Sequence, residues 1–173
     1  MMEGLIQIYT GDGKGKTTAA LGLAVRACGH GFKVYMIQFM KAGWDYGELK
    51  TAMELSNFTI RQFGRPVFVD KNNPSQIDIA LANEAFDHAE EIVKSGKYDL
   101  VILDEINVAL DYKLIALEKV LDLVRNKPEG VELILTGRNA PKELIEIADL
   151  TTEMRDIKHP YAKGIHGRRG VDY

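Results

Sequence analysis

Thr10-Gly-Asp-Gly-Lys-Gly-Lys-Thr-Thr18 has the composition of an anion cradle. Gly11, Gly13 and Gly15 can take backbone angles that a Cβ makes costly, so successive N–H groups can turn toward one point. Lys16 adds a full positive charge, Thr17 a hydroxyl suited to a divalent cation, and Thr18 a second hydroxyl. Asp12 and Lys14 fill the positions between the glycines. The apolar run Leu5 to Tyr9 reads as a strand leading into this turn. The Ala- and Leu-rich run Thr17 to Cys28 reads as a helix leaving it, ending near Gly29. The helix start turns its positive dipole end toward the same cavity. This arrangement predicts a phosphate-binding loop that holds a triphosphate with Mg²⁺ or Mn²⁺. It departs from G-x-x-x-x-G-K-[ST] at one place, where Thr10 stands in for the first glycine.

A second pair able to do chemistry is Asp104-Glu105, at the end of the apolar strand Tyr98 to Leu103. Beside a phosphate-binding loop, an acid at such a strand end holds Mg²⁺ directly or through water. No Ser/His/Asp or Cys/His arrangement stands out as a nucleophile. Guanine-specific GTPases need Asn-Lys-x-Asp after a strand, and the nearest match, Asn126-Lys-Pro-Glu129, lies at a helix end. The second lysine of partitioning ATPases and the clustered cysteines of zinc-containing thymidine kinases have no counterpart.

The elements that must position these residues alternate along the chain. Lys33 to Phe39, Thr59 to Phe63, Val131 to Thr136 and Leu150 to Met154 read as further strands, with an extended piece possible at Val67–Val69. Helices are expected over Glu48 to Leu55 and Ile115 to Asn126, with a short one over Pro141 to Ala148. Another starts at Asn73 or Ser75, carries Ile77, Leu81, Ala85, Ala89 and Ile92 on one face, and stops at Gly96. Alternating strands and helices imply a three-layer α/β domain of the P-loop NTPase type, with a mostly parallel central sheet of about six strands. Ligands of such sheets bind at the carboxyl ends of the strands. That rule gathers the glycine loop, Gln38 to Gly47, Gly64 to Pro74, Asp104-Glu105 and Thr136 to Asn139 along one edge. Residues 1–155 form the domain, and 156–173 a basic, glycine-rich tail or flap of it.

With 173 residues, 46% of them hydrophobic and 27% charged, the chain fits one ordinary globular domain. A net charge of −3 gives no reason to expect nucleic acid as a partner. Cys28 alone excludes a disulfide framework and reads as an inert helical thiol. No apolar run approaches a membrane span, and a strand near the start leaves no room for a signal peptide, so the expected setting is the cytoplasm.

Further residues carry a family resemblance over nearly the whole length. They include Gln38-Phe-Met-Lys41 with Trp44 and Gly47-Glu48, Leu103-Asp-Glu-Ile-Asn107, and Leu135-Thr-Gly-Arg-Asn-Ala-Pro141. Thr152-Glu-Met-Arg155, Lys158-His-Pro160 and Lys163-Gly-Ile165 complete the set. Together with the glycine loop, this set resembles the ATP:corrinoid adenosyltransferases of the BtuR/CobO/CobP type. The resemblance implies transfer of the 5′-deoxyadenosyl group of ATP to the cobalt(I) of a reduced corrinoid, cob(I)alamin or cob(I)yrinic acid a,c-diamide, with release of triphosphate. It explains the missing nucleophile, because cobalt itself attacks and the corrinoid carries the hard chemistry. It also implies a nucleotide lying in the reverse sense to kinases, a homodimer, and a reductant such as flavodoxin or reduced flavin.

Carried over by position, Lys16, Thr17 and Glu105 are the catalytic set, and Gly11 to Thr18, Gln38 and Arg138 bind the triphosphate and nucleotide. Glu105 with Thr17 matches the Mg²⁺ part, supported by Asp104. Lys41, Trp44, Glu48, Phe68 and Asn139 fall on the corrinoid side. Two departures stand out. Many relatives have Asn in place of Asp12, so this carboxylate must point away from the phosphates or meet a cation. Many also carry Gly-Phe-Thr-Trp after the third strand; here Gly64-Arg-Pro-Val-Phe-Val69 leaves Phe68 as a partial substitute. The residues alone leave two other readings open: a P-loop kinase acting on a small molecule, and a non-catalytic ATP-dependent switch or corrinoid chaperone.

Overall fold

The computed structural model describes residues 3–43 and 45–173; the expectation for Trp44 lies outside them. The strands are β1 (Ile6–Thr10), β2 (Val34–Phe39), β3 (Phe58–Phe63), β4 (Leu100–Asp104), β5 (Glu132–Thr136) and β6 (Leu150–Glu153). They pair in parallel throughout, in the order β3-β2-β4-β5-β1-β6. The helices between them are α1 (Lys16–Gly29), α2 (Gly47–Glu54), α3 (Gln76–Lys94), α4 (Ile106–Asp111), α5 (Leu117–Arg125) and α6 (Lys142–Ile147). This is the expected three-layer α/β, P-loop NTPase-like architecture.

Strand alternation divides the core into two. Val34, Met36, Leu100, Ile102 and Ile134 face α1, which meets them with the small residues Ala20, Ala24 and Ala27. Tyr35, Ile37, Phe39, Val101, Leu103, Leu133 and Leu135 face the other way, where α3, α4 and α5 bury Phe86, Ile106 and Leu123. Burying a large apolar side chain contributes about 1.5–3 kcal/mol, so this double layer is what holds the strand ends in place. Small residues on α1 allow that helix to lie close to the sheet, which brings its first turn near the ends of β1 and β4.

Three expectations change. The buried face of α3 is Ala82, Ala85, Phe86, Ala89 and Val93, whereas Ile77 is 53% exposed. The helix is capped by Ser75 and Asp78 in a reciprocal capping box, and Asp78, bound to Arg65, takes the buried side of the first turn in place of Ile77. Val67–Val69 forms no strand; the segment 64–74 is irregular. Helix α4 was not anticipated, because six residues are too few to show a period and no capping residue announces them. Glu105 precedes it in the left-handed conformation, φ 66°. The tail carries a short 3₁₀ turn, Pro160–Lys163, and returns toward the glycine loop. Among the described residues no helix is long and apolar enough to cross a membrane.

Candidate functional site

Period-two alternation puts one polar residue from each of four neighbouring strands on the α1 side of the sheet, at its carboxyl edge. Gln62 pairs with Gln38 and Gln38 with Asp104 in strand register, and Thr136 ends β5 beside them. Asp104 is completely buried and is the hub of this row. Its Oδ1 accepts from the hydroxyls of Thr17 at 2.8 Å and Thr136 at 2.7 Å. Its Oδ2 accepts from Lys41 Nζ at 2.8 Å and Gln38 Nε2 at 3.2 Å. Gln38 in turn accepts from Gln62 and donates to Glu48. A buried carboxylate is tolerable only when paired and hydrogen-bonded, and here both oxygens are. Burial alone would discharge Lys41, but the neighbouring Asp104 carboxylate outweighs it and raises its pKa.

The glycine loop is built by close backbone approach. Gly13 N–H donates to the carbonyl of Met154 at 2.7 Å, just beyond β6. A Cβ on Gly11 would stand 2.4 Å from the Met154 oxygen, so that position admits only glycine. Gly15 begins α1 at φ 117°. Lys16 is buried and curls over the loop, donating to the carbonyls of Gly11 at 2.6 Å and Gly13 at 2.7 Å. Burial lowers the Lys16 pKa, and the Glu105 carboxylate opposes that shift most strongly. Glu105 itself is raised, first by burial and then by the charge of Asp104 beside it.

Two clefts open at this edge. The first, about 670 Å³, is lined by residues 12–18 together with Glu105, Arg138, Asn139 and others. The second, about 690 Å³, is lined by Phe39, Met40, Lys41, Tyr46, Val67 and neighbours. Phe68, Glu105, Val108, Tyr112 and Asp172 line both, so the two clefts share a wall. One is a charged, hydroxyl-bearing cradle in which lysines and Arg138 face carboxylates, and the other is predominantly aromatic and aliphatic.

The structure therefore brings together most of the residues singled out by sequence. Asp12, Gly13, Lys14, Gly15, Lys16, Thr17, Thr18, Arg138 and Asn139 line the first cleft, and Lys41 lines the second. Asp12 meets a cation: its Oδ1 lies 4.0 Å from Arg138 Nε, and Arg138 Nη2 donates to its carbonyl. Two residues sit differently from expectation, and Asp104 takes the supporting place expected of it. Gln38 is fully buried behind Asp104 and Glu48 is bound to Gln38, so neither lines a cleft. Asp104 stands behind the Thr17 hydroxyl with both oxygens occupied, as a support.

Residues not anticipated also take part. Thr136 could have been found from strand alternation, since it shares the parity of Asp104 one strand away. Lys71, Asp111 and Tyr112 line the first cleft without any sequence signal. In the tail it is Asp172, rather than a basic residue, that meets the loop: it pairs with Lys14, whose Nζ also donates to the Val171 carbonyl at 3.3 Å. Cys28 is half-buried away from both clefts, and burial raises its pKa, as suits an inert thiol.

A family model described as ATP:corrinoid adenosyltransferase BtuR/CobO/CobP matches residues 2–173. A corrinoid adenosyltransferase of Escherichia coli strain K12 is 35% identical over 171 residues, covering 99% of this chain and 86% of that protein. One from a Sinorhizobium species is 38% identical over 174 residues, covering 99% of this chain and 81% of its own length. The corrinoid adenosyltransferase CobA of Salmonella typhimurium is 33% identical over 173 residues, with 99% and 86% covered.

Proposed function

Since the chain belongs to the ATP:corrinoid adenosyltransferase family, we propose that it transfers the 5′-deoxyadenosyl group of ATP to the cobalt(I) of a reduced corrinoid. The observation that carries this reading is the shared wall between a glycine-rich cradle bearing Lys14, Lys16 and Arg138 and a largely apolar cleft. A phosphate chain in the first and a corrin face in the second would meet at Glu105, Val108 and Phe68. The electron pair of cobalt(I) forms the Co–C5′ bond while the C5′–O5′ bond breaks. The bonding electrons leave with the triphosphate, and cobalt is formally oxidised by two electrons.

The chain's own contribution is positioning and charge. Holding two reactants in contact removes much of the entropic barrier. Lys16, Lys14, Arg138 and the N-terminus of α1 supply the positive field in which charge builds on the departing triphosphate. For this purpose Lys16 must leave the carbonyls of Gly11 and Gly13 and turn to the phosphates. The apolar lining of the second cleft excludes water from the attacking metal.

The donor set suits Mg²⁺, with Mn²⁺ as a substitute. The Thr17 hydroxyl and the Glu105 carboxylate are hard oxygen donors in the first cleft, and Asp104 fixes Thr17 from behind. Such a cation would neutralise phosphate charge. In line with the resemblance, we further assign a homodimer, a cytoplasmic setting, and an external electron donor such as flavodoxin or reduced flavin. The segment 156–173 acts as a flap of the same domain, with Asp172 and Tyr173 at the clefts.

The test is an anaerobic incubation of ATP, Mg²⁺ and chemically reduced cob(I)alamin. Light-sensitive adenosylcobalamin with intact triphosphate is the expected result. ADP would instead indicate a kinase or an ATP-driven switch, and tight corrinoid binding without turnover a chaperone.

A further inference from the structure

Phe68 stands at the meeting of the two clefts, 95% exposed, in the middle of the irregular segment 64–74. A ten-odd-residue loop without strand or helix does not hold an aromatic ring at one place by its own backbone. Two electrostatic posts flank it, each three residues away in sequence. On one side, Arg65 makes a two-pronged contact with Asp78, Nε to Oδ1 at 2.8 Å and Nη2 to Oδ2 at 2.7 Å, and Nη2 reaches Ser75 at 3.2 Å. Asp78 is buried in the first turn of α3, so this post is anchored to the core. On the other side, Lys71 Nζ donates to Asp111 Oδ2 at 2.7 Å and lies 5.7 Å from the Tyr112 ring centre.

Asp111 does more than pair with Lys71. The same oxygen accepts Asn139 Nδ2 at 2.9 Å, from the loop that follows β5. Asp111 ends α4, the helix that begins directly after Glu105. One carboxylate thus ties together the Phe68 segment, the Arg138–Asn139 loop and the helix leading from the catalytic acid. Burial works against its ionisation, but the hydrogen bonds from Lys71 and Asn139 prevail and hold its pKa below the usual carboxylate range. A half-exposed pair of this kind contributes little to global stability. Its effect falls on the local freedom of the irregular segment, which Arg65 and the packing of Val69 against the core restrain at other points.

We propose that Asp111 is a positioning residue: by holding Lys71 against Asn139 it fixes Phe68 across the boundary of the two clefts. It therefore governs corrinoid engagement more than ATP engagement. The corrinoid half of this statement rests on the adenosyltransferase reading, while the restraint on Phe68 does not.

The test uses the full chain and the variants Asp111→Asn, Lys71→Met and the charge-exchanged pair Lys71→Asp with Asp111→Lys. In the exchanged pair the Asn139 amide can turn its oxygen toward the new lysine. Brief chymotrypsin digestion, with cleavage after Phe68 quantified by mass spectrometry, reads the restraint without any substrate. Both single variants should be cut about fivefold faster than the parent, as loss of a modest local ion pair allows, with the melting temperature shifted by less than about 2 °C. The exchanged pair should return toward the parent rate. In turnover assays, Asp111→Asn should raise the KM for cob(I)alamin about fivefold and that for ATP less than about twofold. Unchanged cleavage at Phe68, or equal rises in the two KM values, overturns the proposal. If the parent cuts slowly and Asp111→Asn fast, but neither makes adenosylcobalamin, the positioning stands and the adenosyltransferase reading fails.

Discussion

Asp104 and Asp111 are both carboxylates that gather several segments at the same edge of the sheet, yet their surroundings differ. Asp104 is fully buried and receives Thr17, Thr136, Lys41 and Gln38 on its two oxygens. Asp111 is half-buried, receives Lys71 and Asn139 on one oxygen, and borders water. The first joins strands that the core already holds; the second joins irregular segments that lie outside the sheet. Removing the buried hub leaves Lys41 and two hydroxyls without their acceptor, and at the fully buried Thr136 water cannot replace it. Removing the exposed one frees a segment but leaves the fold. On the proposed reading, the pair separates a support of the sheet edge from a restraint that serves engagement of the second substrate.

The largest effect is expected at neither carboxylate but at the lysine of the glycine loop. Lys16→Ala should lower turnover by about 10³-fold or more, because the developing triphosphate charge loses its nearest lysine. A rate within tenfold of the parent, measured by adenosylcobalamin formation, would sink the assignment of the cradle. Next comes Asp104→Ala, which should cost about 3 kcal/mol of stability by leaving the buried Lys41 charge unpaired. A urea unfolding midpoint equal to that of the parent would show that the hub is not what locks the row.

A smaller effect is expected in the tail. Asp172 lies on Lys14, so it competes with phosphate for the same cation. Asp172→Asn should lower the KM for ATP about threefold, the scale of a surface pair; an unchanged or higher KM would contradict the competition. The smallest effect separates Asp111 from Asn on the acid side. Its carboxyl titrates below the ordinary value, so its contribution is present above about pH 4 and disappears as pH falls through the depressed value. Asp111→Asn should flatten that part of the stability curve slightly, and an identical acid limb in both proteins would remove the restraint assigned to Lys71 and Asn139.

Much of the fold was legible because strands and crossing helices impose their periods on the residues. The glycine loop, the strand ending in Asp104-Glu105 and the succession of six strands along the chain could be read in that way. The shift of the α3 stripe was not legible, since its buried face begins with the polar Asp78, held by Ser75 and Arg65, which hydrophobic spacing does not report. Helix α4 was hidden by its length. The tail's composition suggested cations offered to a ligand, but the contact it makes with the loop is the carboxylate of Asp172 on Lys14, because the arginines are turned to Asp172 and Asp45 instead.

The sequence by itself determined the cradle, the hydroxyl and acid beside it, and the family, because those depend on residue types at short fixed spacing. Tertiary structure alone decided that Gln38 is buried behind Asp104, that Gln62 and Thr136 complete their row, and that Asp111 binds Lys71 to Asn139. Those contacts join residues 24 to 66 positions apart. Only the lateral order of the strands and the phase of the helices bring such distant polar atoms within hydrogen-bond reach.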